Sequence, residues 1–169
     1  PETTTTAAPT TTEAPPAGLT CGDGVTVGLI TDQTGPLAIY GAHIMRGVPI
    51  GFTYATGDDG ADGVYTVENC DIKLVVKDDQ SNPELSATAA RELIEVDGAD
   101  IIIGTVSSGV TATLQEIARE NDVILIAAPA AATDLTGSTF NENTFRASRN
   151  NFQDGIAICE YLTKQYDTF

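Results

Sequence analysis

The 169-residue chain is 41% hydrophobic, enough to build the core of about one ordinary domain, yet only 6% aromatic and without Trp. Its 24 acidic residues against 8 basic ones give a net charge of −16. That balance excludes nucleic acid, whose phosphates need clustered Lys and Arg, and argues against docking on anionic lipid. No run approaches the ~18 apolar residues of a membrane span, so no direct span is expected in this chain.

The chain starts with Pro1, and residues 1–18 are almost wholly Thr, Pro, Ala and Glu. Such a composition cannot bury enough surface to offset its ordering entropy, so residues 1–23 read as a disordered Thr/Pro-rich tether. A tether of this kind suits an extracytoplasmic domain held off a cell surface. Cys21 lies in Gly-Leu-Thr-Cys-Gly, where Gly18 replaces the aliphatic residue that a lipidation signal requires. The three cysteines lack metal-ligand spacing. Cys21 precedes the first strand and Cys70 the second. If those strands are parallel neighbours, both thiols emerge at one sheet edge. A Cys21–Cys70 disulfide and two free thiols both fit that placement.

Val25-Thr-Val-Gly-Leu-Ile-Thr31 is a β-branched run and predicts a buried strand, broken by the turn residues Asp32-Gln-Thr-Gly-Pro36. Tyr40 to Thr56 reads as a helix with Ile44, Val48 and Phe52 on one face and Pro49 as a kink or a late start. Gly57 to Gly63 is a loop. Ile72 to Lys77 predicts a second strand, and Asn82-Pro-Glu opens a helix with a cap and a proline at its first position. Leu85, Ala89 and Leu93 form that helix's expected buried stripe, and Gly98 closes it.

Asp100 to Ile103 predicts strand three. The next helix carries Val110, Leu114, Ile117 and Ala118 on one face. Val123 to Ala127 is strand four, Pro129 to Asn143 a loop, and Thr144 to Ala147 a short strand. Asn151 to Tyr166 reads as a final helix, with Ile156, Cys159 and Leu162 or Thr163 inward. The order β-α-β-α-β-α-β with uninterrupted apolar strands predicts an α/β fold, a parallel sheet with helices on both faces.

Enzymatic and metal motifs fail on inspection. The loop after strand three has no Lys for a phosphate-binding loop, and Asp32-Gln-Thr-Gly-Pro is not a dinucleotide fingerprint. Ser107 and Ser108 lack the glycines of a nucleophile elbow. The single His43 sits inside a helix, as a surface or packed residue. Asp58-Asp-Gly-Ala-Asp-Gly63 places Gly60 and Asn69 where calcium needs carboxylates, so it reads as an acidic turn. Asp78 and Asp79 read as acceptors of local backbone N–H groups or as a cap for the next turn.

What remains is a set of hydroxyl- and backbone-rich loops at the C-terminal ends of strands, where open α/β sheets bind ligands. Thr34 and Tyr40 follow strand one. Gly104-Thr-Val-Ser-Ser-Gly follows strand three, with Ser107 as helix cap and Ser108 as the freer hydroxyl. Ala127 to Thr133 follows strand four. Hydroxyls and helix N-terminal N–H groups suit a carboxylate; the Ala/Pro carbonyls suit an ammonium. The expected activity is binding, without catalysis, metal or cofactor.

Four segments occur in order: Val27-Gly-Leu-Ile-Thr-Asp-Gln-Thr-Gly-Pro-Leu-Ala-Ile-Tyr-Gly41, Lys77-Asp-Asp-Gln-Ser-Asn-Pro83, Ile102-Ile-Gly-Thr-Val-Ser-Ser-Gly-Val110 and Leu125-Ile-Ala-Ala-Pro-Ala-Ala-Ala-Thr-Asp-Leu-Thr-Gly137. Together they resemble the type I periplasmic solute-binding proteins of the leucine/isoleucine/valine-binding type, which feed ABC importers. The resemblance implies a first ligand-binding lobe over residues 24–147 and the start of a second lobe, cut short, over 148–169. It implies capture of a branched-chain or related amino acid in an inter-lobe cleft outside the cytoplasm, with the importer's membrane subunits as partners. A ligand-sensing module of a membrane receptor is the alternative on the same fold.

Carried over by motif, Tyr40 lines the ligand side chain and Ser108 bonds its carboxylate, with Ser107 and the Val106 backbone beside it. Ala130 offers its carbonyl to the ammonium. Ala132 stands where the family often has Thr, unless Thr133 shifts into that place, and Arg149 adds a cation at the start of the second lobe.

Overall fold

The computed structural model describes residues 21–166. The tether expected over residues 1–23 falls, up to residue 20, outside the described residues. The elements run β1 (Val25–Thr31), α1 (Ala38–Thr56), β2 (Val64–Val67), β3 (Cys70–Asp78), α2 (Pro83–Glu95), β4 (Ile101–Gly104), α3 (Ser108–Glu120), β5 (Ile124–Ala127), a 3-10 turn (Thr133–Thr136), β6 (Thr144–Arg146) and α4 (Asn151–Gln165). They form one six-stranded sheet in the order β2-β3-β1-β4-β5-β6. Every pairing is parallel except β2 with β3.

The antiparallel β2 is a strand that the sequence reading left out. Val64-Tyr-Thr-Val67 has strand composition, and Tyr65 pairs with Ile72 across a two-residue connection in which Glu68 takes φ 54°. The signal is only four residues long and follows a Gly- and Asp-rich loop without the usual Asn-Gly hairpin turn.

α2 and α3 cover one face of the sheet. Ile30, Ala90, Leu93, Ile102, Leu114, Ala118 and Leu125 are fully buried between them and the strands, each large side chain contributing about 1.5–3 kcal/mol by leaving water. The Asn82 side chain caps α2 by accepting from the backbone N–H groups of Glu84 (2.8 Å) and Leu85 (3.2 Å). The buried stripe of α2 runs through Ser86, Ala89, Ala90 and Leu93, which turns Leu85 to the edge of that face and leaves it exposed.

α1 covers the opposite face at the β1 end. It starts at Ala38, earlier than its sequence pattern suggested, and runs through Pro49. Gly41 lets it approach the sheet: any Cβ there would collide with the Asp32 carbonyl oxygen. The cover thins along the sheet, because Leu29 is 0% exposed while Phe145, two strands further than its register partner Ile103, is 55% exposed. Helices therefore lie on both faces, but not over the whole of both.

α4 departs most from expectation. It is anchored at its start, where Asn150 and Gln153 form a reciprocal cap and the Asn151 N–H donates to the Ala131 carbonyl (2.8 Å). None of its residues is buried, and Ile156 and Cys159 are exposed rather than facing a core. The 3.6-residue pattern is present, but no described element packs against it.

Candidate functional site

Cys21 and Cys70 form a disulfide, with Cα atoms 5.2 Å apart, at the edge where β1 and β3 begin. The opposite edge holds the site. There the β1–α1, β4–α3 and β5–β6 connections, with the start of α4, enclose a concave space of ≈ 560 Å³. Leu37, Tyr40, His43 and Ile44 line it from the first connection and α1. Val106 and Ser108 contribute from the second, and Pro129, Ala131, Arg149 and Asn151 from the rest.

Of the residues singled out from sequence, Tyr40, Val106, Ser108 and Arg149 meet in this space. Ser107, Ala130, Ala132 and Thr133 are not among its lining residues. Ser107 holds the cap position of α3 in extended geometry, but its side chain makes no capping bond. The first N–H groups of α3 are thus left without a side-chain cap. Ser108 accepts a hydrogen bond from the Ala132 N–H (3.1 Å), which uses an oxygen lone pair and leaves the hydroxyl hydrogen to donate. Thr133, itself exposed, opens the 3-10 turn.

The carbonyl of Ala130 is already an acceptor within the protein. Arg146 on β6 reaches back and donates from Nη1 to the Ala130 oxygen and from Nη2 to the Ala132 oxygen, both at 2.5 Å, while its Nε donates to Thr136 Oγ1 (3.1 Å). A planar guanidinium can bridge two carbonyls in this way, and Ala130 is buried beneath it. Arg149, 55% exposed, donates to the Pro129 carbonyl (3.3 Å) and pairs with Asp154 (3.4 Å).

His43, read from sequence as a surface or packed residue, lies on the cavity wall with its ring edge-on to Tyr40 at 6.5 Å. The missed signal was spacing. Leu37, Tyr40, His43 and Ile44 fall at the spacing of one helical face, whereas the sequence pattern groups Ile44 with Val48 and Phe52.

Three carboxylates brace the loops from behind. Asp32, fully buried, accepts from the N–H groups of Gly35 (2.5 Å) and Leu37 (2.8 Å) and from Ser81 Oγ (2.6 Å). Asp78 accepts from the Gln33 N–H (2.8 Å) and Thr34 Oγ1 (2.6 Å), so the Thr34 hydroxyl is spent on the scaffold. Asp79 accepts from Thr105 Oγ1 and from the Ser81 N–H (3.0 Å). The Asp78–Asp79 pair therefore does bond local N–H groups, but it also ties the β1–α1 and β4–α3 connections together. Burial pushes the Asp79 carboxyl above its ordinary range, opposed by the Thr105 bond and reinforced by neighbouring Asp32 and Asp78. For Asp78, burial acts upward but is outweighed by the bonds from Thr34, Gln33 and Gln80, which hold it below the usual value.

Among the described residues, no group of His, Cys, Asp or Glu is placed to hold a metal, and no helix is long and apolar enough to cross a membrane. A mostly parallel sheet flanked by helices, with a concave notch where its strands end, is the lobe architecture of type I periplasmic binding proteins. The periplasmic binding protein family model matches residues 24–168, and the chain belongs to that family, one of extracytoplasmic solute-binding proteins.

Among its relatives, Leu/Ile/Val-binding protein homolog 2 of Brucella abortus is 32% identical over 146 residues, covering 84% of this chain and 36% of that protein. The solved ABC-type branched-chain amino acid transporter of Rhodopseudomonas palustris is 41% identical with TM-score 0.72, over 78% of this chain and 34% of that one. A solute-binding protein from Rhodopseudomonas palustris BisB5, solved in complex with 3,4-dihydroxybenzoic acid, is 26% identical with TM-score 0.73, over 85% and 37%. The chain spans about a third of the length of these proteins.

Proposed function

We propose that residues 24–147 are the first ligand-binding lobe of an extracytoplasmic solute-binding component of an ABC importer, and that residues 148–169 begin the second. The lobe captures a small amino-acid-like carboxylate, and the importer's membrane subunits receive it. No bond is made or broken in this reading, and the role calls for no metal or cofactor. Residues 1–20 act as the tether that holds the lobe near a membrane surface, shorter than the expected 1–23 because the disulfide fastens Cys21 to β3.

The convergence of three strand-end connections on one cavity carries the reading. Tyr40, Ile44 and Val106 offer apolar wall, while Ser108 and the uncapped N-terminus of α3 offer donors to a carboxylate. Thermal-shift screening of the full-length protein against amino acids and related carboxylates tests it. At least one ligand is expected to raise the melting temperature, and Ser108→Ala to weaken that ligand about tenfold, the loss of one charge-assisted hydrogen bond. A protein that melts cooperatively but responds to no member of the panel sinks the proposal.

A further inference from the structure

The β3–α2 connection, residues 79–82, supplies no residue to the cavity lining. It is nevertheless held in a costly shape. Gln80 and Ser81 both take left-handed backbone, at φ 50° and 54°, which residues with a side chain seldom adopt. The Ser81 N–H donates to Asp79 Oδ1 (3.0 Å) and its hydroxyl to Asp32 Oδ2 (2.6 Å), so this one residue joins two fully buried carboxylates. From there an unbroken run of hydrogen bonds leads both ways. Asp32 accepts from the Leu37 N–H (2.8 Å). Asp79 accepts from the Thr105 hydroxyl, the Thr105 N–H donates to Thr111 Oγ1 (3.4 Å), and the Thr111 hydroxyl donates to the Ser107 carbonyl (2.9 Å). Leu37 ends the run on one cavity wall. Ser107, between the lining residues Val106 and Ser108, ends it on another.

We infer that Ser81 and Asp79 are positioning residues for the cavity: the relay through them sets the spacing between the walls that carry Leu37 and Ser108. As a statement about a binding site, this rests on the solute-binding reading above and adds to that site two residues that do not line it. Pairing within the sheet fixes where β1, β3 and β4 end, but not the connections beyond them. The relay supplies that constraint. Asp32, Asp79, Thr105 and Thr111 are fully buried, so a broken link leaves a polar group without water to replace its partner. Neighbouring links in such a network polarise one another and shift together. Close packing reinforces the coupling, since a Cβ on Gly35 would lie 2.5 Å from the Gln80 carbonyl oxygen.

Hydrogen–deuterium exchange on the full-length protein without ligand, followed over residues 33–38 and 104–111, tests the coupling. Ser81→Ala removes the link to Asp32 and keeps the N–H that Asp79 accepts. Exchange is expected to rise about tenfold over 33–38 and about threefold or more over 104–111, a segment the substitution does not enter. Thr105→Val cuts the other side and should give the reverse order. Thr105→Ser keeps the hydroxyl and should hold wild-type rates in both segments. Ile117→Val, a core change outside the relay, sets the acceleration that general destabilisation produces. Acceleration confined to the substituted side, acceleration no greater than that of Ile117→Val, or a Thr105→Ser protein as fast as Thr105→Val overturns the inference. Because no ligand is used, segments that respond independently leave the solute-binding reading standing. A carboxylate panel without a binder removes that reading and leaves the coupling of the two walls in place.

Discussion

Replacing Arg146 by Met tests whether the cavity's rear wall is built as described. The wild-type guanidinium satisfies two backbone carbonyls, Ala130 and Ala132, and one hydroxyl, Thr136. Met keeps the length and apolar stem but removes every donor. A buried carbonyl left without a partner costs about 1–3 kcal/mol. Ala130 is 1% exposed, so its oxygen bears the full penalty. Ala132 and Arg146 are half-buried, and water recovers part of theirs. The expected loss is about 2–4 kcal/mol, the lower part of the summed range. Urea denaturation of the full-length protein reads this as a midpoint lowered by about 1–2 M at the slopes typical of such domains. Arg146→Lys is expected to recover little, because one ammonium cannot span two carbonyls in fixed geometry. Ligand affinity should fall in parallel, since Pro129 and Ala131 on the same loop line the cavity. An Arg146→Met protein with an unchanged midpoint, or a Lys variant as stable as wild type, refutes the bidentate account.

Two other perturbations have signs set by the structure. The Cys21–Cys70 bridge closes a segment with a sequence separation of 49, which in the chain-entropy treatment is worth about 4 kcal/mol and in practice about 2–4. The Cys21→Ser/Cys70→Ser protein should therefore denature at lower urea than wild type, and equal midpoints would remove the bridge from the stability account. Asp79 has a folded-state pKa above its reference value of 3.8 because burial disfavours its charge. Between those two values the native state holds more protons than the unfolded chain, so this group's contribution to stability declines as pH rises through the window. Asp79→Asn keeps an acceptor for Ser81 and removes the charge. Its stability relative to wild type should climb as pH rises from about 4 and then level off; a pH-independent difference between the two proteins contradicts the assignment.

The parts of the molecule legible in the sequence are those whose signal is local. β1, β3, β4 and β5 are short apolar runs, α2 carries its own cap and proline, and α3 has an apolar stripe over Val110, Leu114, Ile117 and Ala118. Tyr40 and Ser108 were placeable because strand ends converge in any doubly wound sheet, whereas Val106 and Arg149 were placed only by the resemblance of the surrounding motifs. Arg146 was not, since nothing local in Thr-Phe-Arg announces that the side chain folds back on carbonyls 14 and 16 residues away. The same limit explains Ala130, whose carbonyl looked free only while its neighbour in space was unknown. α4 shows the converse. Its periodic pattern asks for a partner surface that the described residues do not supply, and periodicity by itself does not say where such a surface comes from.

The bridge between Cys21, just ahead of β1, and Cys70, the first residue of β3, fixes where the chain enters the folded body. β1 then runs seven residues, or about 20 Å at a strand's rise, before reaching the cavity rim. Any leash leading away from Cys21 is consequently fastened at the heel, with the mouth turned outward, and tension on it is taken up by a covalent clamp onto the start of β3 instead of by the loops that line the cavity.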